Sequence, residues 1–140
     1  MKNNPEISFG TRIRKSPFFD STIKWGAKGF TVYNKMYMPT YFKSHKEDYL
    51  SLANDVTLWD VGGERQVEIK GKDAERFVEF ITPRDISKCK IGQCMYILLT
   101  EKNGGIVNDP VLLRLAENHY WLSIADSDVL LWCKGVASSN

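Results

Sequence analysis

The sequence predicts an α+β fold, mainly an antiparallel sheet with two or three helices packed against it. Three observations carry that prediction. RQVEIKG alternates apolar and polar residues at period two, with Val67 and Ile69 inward, as a half-buried strand does. AERFVEFI repeats its apolar residues at helical spacing through Ala74, Phe77, Val78 and Ile81. CMYILLT and IVNDPVLLRLA are joined by EKNGG, whose Asn-Gly is a strong short-range hairpin signal, so these two strands should run antiparallel.

Residues 1–48 are irregular and read as an N-terminal wrapping segment. Basic and aromatic residues interleave in TRIRKSPFFDSTIKWGAKGFTVYNKMYMPTYF. The expected arrangement lays Phe, Tyr and Trp on the body and leaves Arg and Lys solvated. A groove for a polyanionic or stacked-ring ligand is the alternative.

Residues 49–140 form the α+β region. At its threshold, HKEDYLSLANDV predicts a short helix carrying Tyr49, Leu50 and Leu52, and TLWDV a short apolar strand. Gly71 ends the RQVEIKG strand, and Asp73 stands where an N-cap or first-turn acid belongs. Pro83 stops the AERFVEFI helix. Strands follow over 94–100, 106–116 and, after a Glu117-Asn118 turn, 119–125. Asp126 or Ser127 then caps a helix over DSDVLLWCKGVA. The order is β-α-β-β-β-α.

Totals narrow the function classes. A chain of 140 residues is long enough to bury a core, and 43% hydrophobic with 26% charged is ordinary for a globular protein. A net charge of +2 does not call for nucleic acid or an anionic membrane. Single-stranded nucleic-acid binding on the sheet lacks a paired aromatic stacking motif. Three cysteines at no zinc-like spacing predict structural thiols in a reducing, cytoplasmic setting and no metal. The charged N-terminus has no signal-peptide core, and no window reaches the apolar length of a membrane span.

One residue resists a purely structural reading. Asp109 heads an apolar run, followed by Pro110. If Asn103-Gly104 is a two-residue loop, Tyr96 lies opposite Val111 and Leu98 opposite Asp109. Tyr96, Leu98, Asp109, Val111 and Leu113 then share one face, with a phenol and a carboxylate as diagonal neighbours; a register slip of one residue would part them. Pro110 cannot donate to a ladder, so the strand is an edge or is bulged there. Desolvation would disfavour the charged carboxylate, which could serve as hydrogen-bond acceptor, anchor or proton acceptor. An Asx-style turn before proline explains the same residue equally well. Elsewhere, His45 and His119 read as solvated. Trp25, Trp59, Trp121 and Trp132 read as core or rim, and Glu64-Arg65 as an ion pair or a pocket lining.

WDV…ERQVEIKG, the Gly-Gln-x-x-Tyr ahead of the hairpin, and GGIVNDPV together resemble the amino-terminal part of the glycine-cleavage T-protein (aminomethyltransferase) family. The likeness runs from about Arg12 to Val136 and is nearest to the dimethylsulfoniopropionate demethylase-like branch. It implies a partial T-protein folate-binding domain, with tetrahydrofolate as cofactor and a small methyl or aminomethyl donor. It also implies that Asp109 is the acid near the pterin nitrogens, important for transfer, and that Tyr96 and Val111 line the pocket. Two departures stand out. Where T-proteins carry Ser-His-Met-Gly, this chain has Gly62, Gly63, Glu64 and Arg65, which puts Glu64 at a folate-contacting position. Leu113 stands where an aromatic is frequent. Both fit the demethylase-like branch better than a standard aminomethyltransferase.

Members of that family are also much longer. The resemblance therefore leaves open a whole enzyme, a fragment that needs a carboxy-terminal region or partner subunit, and a non-catalytic folate-binding or subunit-interaction module. An open sheet face is expected to bring poor solubility or oligomerisation unless a partner covers it.

Overall fold

The computed structural model describes residues 10–139. The chain divides into two compact units, Met1–Gly63 and Glu64–Asn140. The composition change at 48/49 falls inside a helix of the first unit, α2 (His45–Asn54).

The first unit is more regular than its composition suggests. A short helix α1 (Phe19–Lys24) precedes an antiparallel hairpin of β1 (Gly29–Tyr33) and β2 (Met36–Tyr41). Asn34 and Lys35 form its two-residue turn, both at positive φ (49° and 59°), the backbone that suits the twist of paired strands. Phe19 is buried against Phe30, with ring centroids 4.9 Å apart, and near Tyr37 at 6.0 Å. Ser44 caps α2 by accepting from the Glu47 amide, while its hydroxyl donates to the Glu47 carboxylate at 2.7 Å.

One expectation fails in this unit. TLWDV is not a strand: nothing among the described residues pairs with it, and Val56, Leu58, Trp59 and Val61 are exposed. Helix α2 forms as expected but buries none of its residues, so Tyr49, Leu50 and Leu52 also face outward.

The second unit is an α+β layer. Its four-stranded antiparallel sheet has the order β3-β8-β7-β4, from β3 (Gln66–Lys70), β8 (His119–Ser123), β7 (Val111–Ala116) and β4 (Cys94–Tyr96). A second pair, β5 (Leu99–Thr100) and β6 (Ile106–Asn108), forms the tip of the hairpin. Helix α3 (Ala74–Ile81) starts after Asp73 and stops at Thr82, just before Pro83; helix α4 spans Val129–Ser138. The cap of α4 is Asp128, later than Asp126 or Ser127.

The core lies on one face of this sheet. Val67, Leu112, Tyr120 and Leu122 from the strands pack with Ala74, Val78 and Ile81 of α3 and Val129 and Cys133 of α4. Alternation along the strands then sends the intervening residues to the opposite face. Arg114 locks one end of the sheet: its guanidinium sits 3.1 Å from the Glu75 carboxylate and donates to the Cys89 carbonyl at 3.1 Å.

Candidate functional site

The hairpin that carries Asp109 turns differently from expectation yet reaches the expected register. Its loop is three residues, Lys102–Gly104, closed by Gly104 N–H donating to the Glu101 carbonyl and Glu101 N–H to the Gly105 carbonyl, both at 2.9 Å. Gly104 takes φ +88°, which its missing Cβ permits. This loop alone would put the strands one residue out of the Tyr96–Val111 register. A bulge beside Leu99/Thr100 restores it: Thr100 pairs with Ile106, Leu99 with Asn108, and Tyr96 with Val111.

The restored register brings the phenol and the carboxylate together. The Tyr96 hydroxyl donates to Asp109 Oδ2 at 2.8 Å. Both residues are exposed, Tyr96 by 51%. The hydrogen bond to Asp109 is the main cause that holds the Tyr96 hydroxyl above its ordinary pKa, with desolvation and the nearby negative charge adding to it. Asp109 is therefore engaged across the hairpin, by a residue thirteen positions away, and its exposure removes the desolvation expected from an apolar run.

Its two neighbours hold it there. Asn108 is buried: its amide donates to the Ala125 carbonyl at 3.1 Å and to Ser127 Oγ at 2.8 Å, and its Oδ1 accepts from the Ala125 amide at 3.1 Å. Pro110 is fully buried and its carbonyl accepts from Ile97 N–H at 3.0 Å. Strand β7 has neighbours on both sides, so Pro110 is no edge residue; it sits in the break between β6 and β7. With Asn108 and Pro110 turned in, Asp109 is presented outward from a fixed backbone. Asn108 is the site residue that the sequence reading missed. Its signal was parity, an amide at an inward position one residue before Asp-Pro.

Beyond the pair, the open face continues across the sheet in two rows. One runs Tyr96, Val111, Ser123, Gln66; the next runs Cys94, Leu113, Trp121, Glu68. Val111 is 38% exposed and Trp121 37%, and Gln66 donates to Ser123 Oγ at 3.0 Å. The face thus presents apolar surface with polar groups at two places.

Other sequence candidates land elsewhere. Glu64 is exposed and precedes β3, the strand farthest from β4; three strand spacings put it roughly 14 Å across the sheet from Tyr96. His119 is not the solvated residue expected: its Nε2 lies 2.8 Å from Glu68 Oε1 and its side chain is only 20% exposed. Trp132 packs on the core, whereas Trp25 and Trp59 are largely exposed. Cys89, Cys94 and Cys133 are free thiols, with only Cys94 exposed. A cleft of about 20 Å³, lined by Arg65, Val67, Ile124, Ser127 and Val129 among others, has room for a water and not for a ring system. Among the described residues, no helix is long and apolar enough to cross a membrane.

Residues 18–138 match the family described as the GCVT N-terminal domain, so the chain belongs to the glycine-cleavage T-protein family. It is similar to the dimethylsulfoniopropionate demethylase DmdA of Ruegeria pomeroyi, with 45% identity over 126 residues, covering 90% of this chain and 35% of that protein. It is also similar to the aminomethyltransferase of Staphylococcus epidermidis, 35% identical over 114 residues, covering 81% of this chain and 31% of that one. In fold it resembles the glycine cleavage system aminomethyltransferase T of Bartonella henselae, with a TM-score of 0.61 at 24% identity over 81% of this chain and 31% of that structure. The chain spans about a third of the length of the curated relatives it matches.

Proposed function

We propose that the open face around Tyr96 and Asp109 binds tetrahydrofolate, and that the chain serves a methyl or aminomethyl transfer to or from it. The observation that carries this reading is the Tyr96–Asp109 hydrogen bond, exposed on an apolar sheet face in a chain of this family. The donor set suits a reduced pterin. An ionised carboxylate offers up to four acceptor positions, of which Tyr96 uses one, so Asp109 can also accept from ring N–H groups. Val111 and the half-buried Leu113 supply apolar wall beside it.

When bound, tetrahydrofolate supplies a nitrogen that carries the one-carbon unit. The protein's part is positioning and electrostatics. Tyr96 fixes the carboxylate through its hydroxyl, and the carboxylate orients the ring and favours positive charge developing beside it. The donor is a small molecule with a transferable methyl or aminomethyl group, and likeness to the Ruegeria pomeroyi protein favours a methyl donor. Glu64 is proposed as a more remote contact of the same ligand.

A second reading is a non-catalytic folate-binding or subunit-interaction module. The observation favouring it is that the chain spans about a third of its relatives. The enzyme and the folate-binding module both require binding and part on turnover, whereas a subunit-interaction module requires neither. Calorimetric titration of the purified chain with tetrahydrofolate should give binding that Asp109→Ala weakens at least tenfold, as loss of a charge-assisted hydrogen bond does. Binding unchanged in Asp109→Ala would refute this site. If methyl donors are then turned over, Asp109→Asn should slow that turnover steeply; binding without turnover supports the module.

A further inference from the structure

We infer that Trp121 is a second contact of the same ligand, a platform for the flat aromatic segment beyond its hydrogen-bonding ring. The inference rests on the reading of the Tyr96–Asp109 face as a ligand site and extends it along the sheet. Trp121 stands on the open face, directly across from Leu113 and one strand beyond Val111. Diagonal neighbours on one face of a sheet lie about 7–8 Å apart, so the Trp121 indole stands beside Val111, which itself faces Tyr96. A ligand with its hydrogen-bonding ring at Asp109 and a second ring on the indole would run over Val111 and Leu113 without leaving apolar surface.

The indole also has a charged cross-strand neighbour. Glu68 lies directly across from Trp121 on β3, and its carboxylate interacts with both His119, at 2.8 Å, and Trp121. The hydrogen bond to His119 is the main cause that keeps Glu68 below the usual glutamate range, with the neighbouring Trp121 side chain adding to it, so Glu68 is ionised at neutral pH. A half-buried ring flanked by a cross-strand neighbour loses little freedom when a second ring stacks on it. Glu68 neighbours the indole, while Trp121 itself makes the contact. Isolated exposed tryptophan is common, but this one is part-exposed, flanked by Glu68 and continuous with the carboxylate site.

Two probes separate the two ends of the ligand: tetrahydrofolate, and 6-methyltetrahydropterin, which lacks the aminobenzoyl ring. Calorimetric titration of the purified chain should show that Trp121→Ala weakens tetrahydrofolate roughly tenfold, the scale of a lost stacking partner, and leaves 6-methyltetrahydropterin unchanged. Trp121→Leu, which keeps apolar bulk without a π-face, should show the same selective loss, and Trp121→Phe should retain most of the affinity. Circular dichroism checks that each variant folds. Tetrahydrofolate bound equally by wild type, Trp121→Ala and Trp121→Leu would overturn this inference while leaving the Asp109 site standing. Equal weakening of both probes would overturn the division between the two ends. Binding of neither probe by the wild type would bring down the site and this inference together.

Discussion

Asn108, Asp109 and Pro110 are consecutive, and each meets a different environment: a buried amide network, solvent beside a phenol, and the core. The sequence made Asp109 conspicuous because a charge interrupts an apolar run. It said less about Asn108, since an amide before Asp-Pro reads as turn chemistry until its bonds to Ala125 and Ser127 are seen. Asn108→Ala leaves the Ala125 amide without its acceptor and should cost about 1–3 kcal/mol of stability, measured by urea unfolding. The Tyr96 hydroxyl gives a second prediction at this scale. Its pKa is raised in the folded chain, so its contribution to stability is intact below the ordinary tyrosine value near pH 10 and is lost as pH rises through the higher folded value. A difference absorbance titration of wild type against Tyr96→Phe isolates this phenol. Asp109→Asn should bring its pKa down toward that of free tyrosine; an unmoved pKa would mean that the two groups are not bonded in solution.

At the scale of elements, the hairpin shows how a sequence argument can reach the right contact by a wrong route. Asn103-Gly104 suggested a two-residue loop, whereas the loop has three residues and a bulge in β6 compensates. Turn type depends on local backbone choice, but register is fixed by burial, because a one-residue slip would turn Leu112 outward. Strand β3 and helix α3 were legible for the same reason, each having a strong period and a buried face. Strand TLWDV failed because an apolar run specifies a strand only where a partner ladder exists. Hairpin β1–β2 was missed because Asn34-Lys35 is a weaker turn signal than Asn-Gly and Pro39 interrupts its second strand. Adjacent leucines test the two-faced sheet. Leu112→Ala, fully buried, should cost about 2–5 kcal/mol in urea unfolding, and Leu113→Ala, on the open face, under about 1 kcal/mol.

For the whole molecule, thiol chemistry reports how much of the second unit is sealed. Burial raises the Cys133 thiol to about 11, so at pH 8 it stays protonated as well as inaccessible. Cys89 is also buried, and Cys94 lies exposed beside Leu113 on the open face. A disulfide-exchange reagent at pH 8 should therefore modify one thiol quickly in the native chain and all three after denaturation. Rapid reaction of Cys133 would show that α4 does not stay packed on the sheet. Bound tetrahydrofolate should slow the reaction of Cys94, since the ligand would cover its row.

That open face is where the account is most exposed to test. The most direct measurement is a backbone amide and indole NMR titration of the chain with tetrahydrofolate. The largest shifts should fall at Tyr96, Asp109, Val111 and the Trp121 indole. Shifts confined to the cleft near Arg65 and Ser127, or a fully folded spectrum that tetrahydrofolate leaves unchanged, would contradict it.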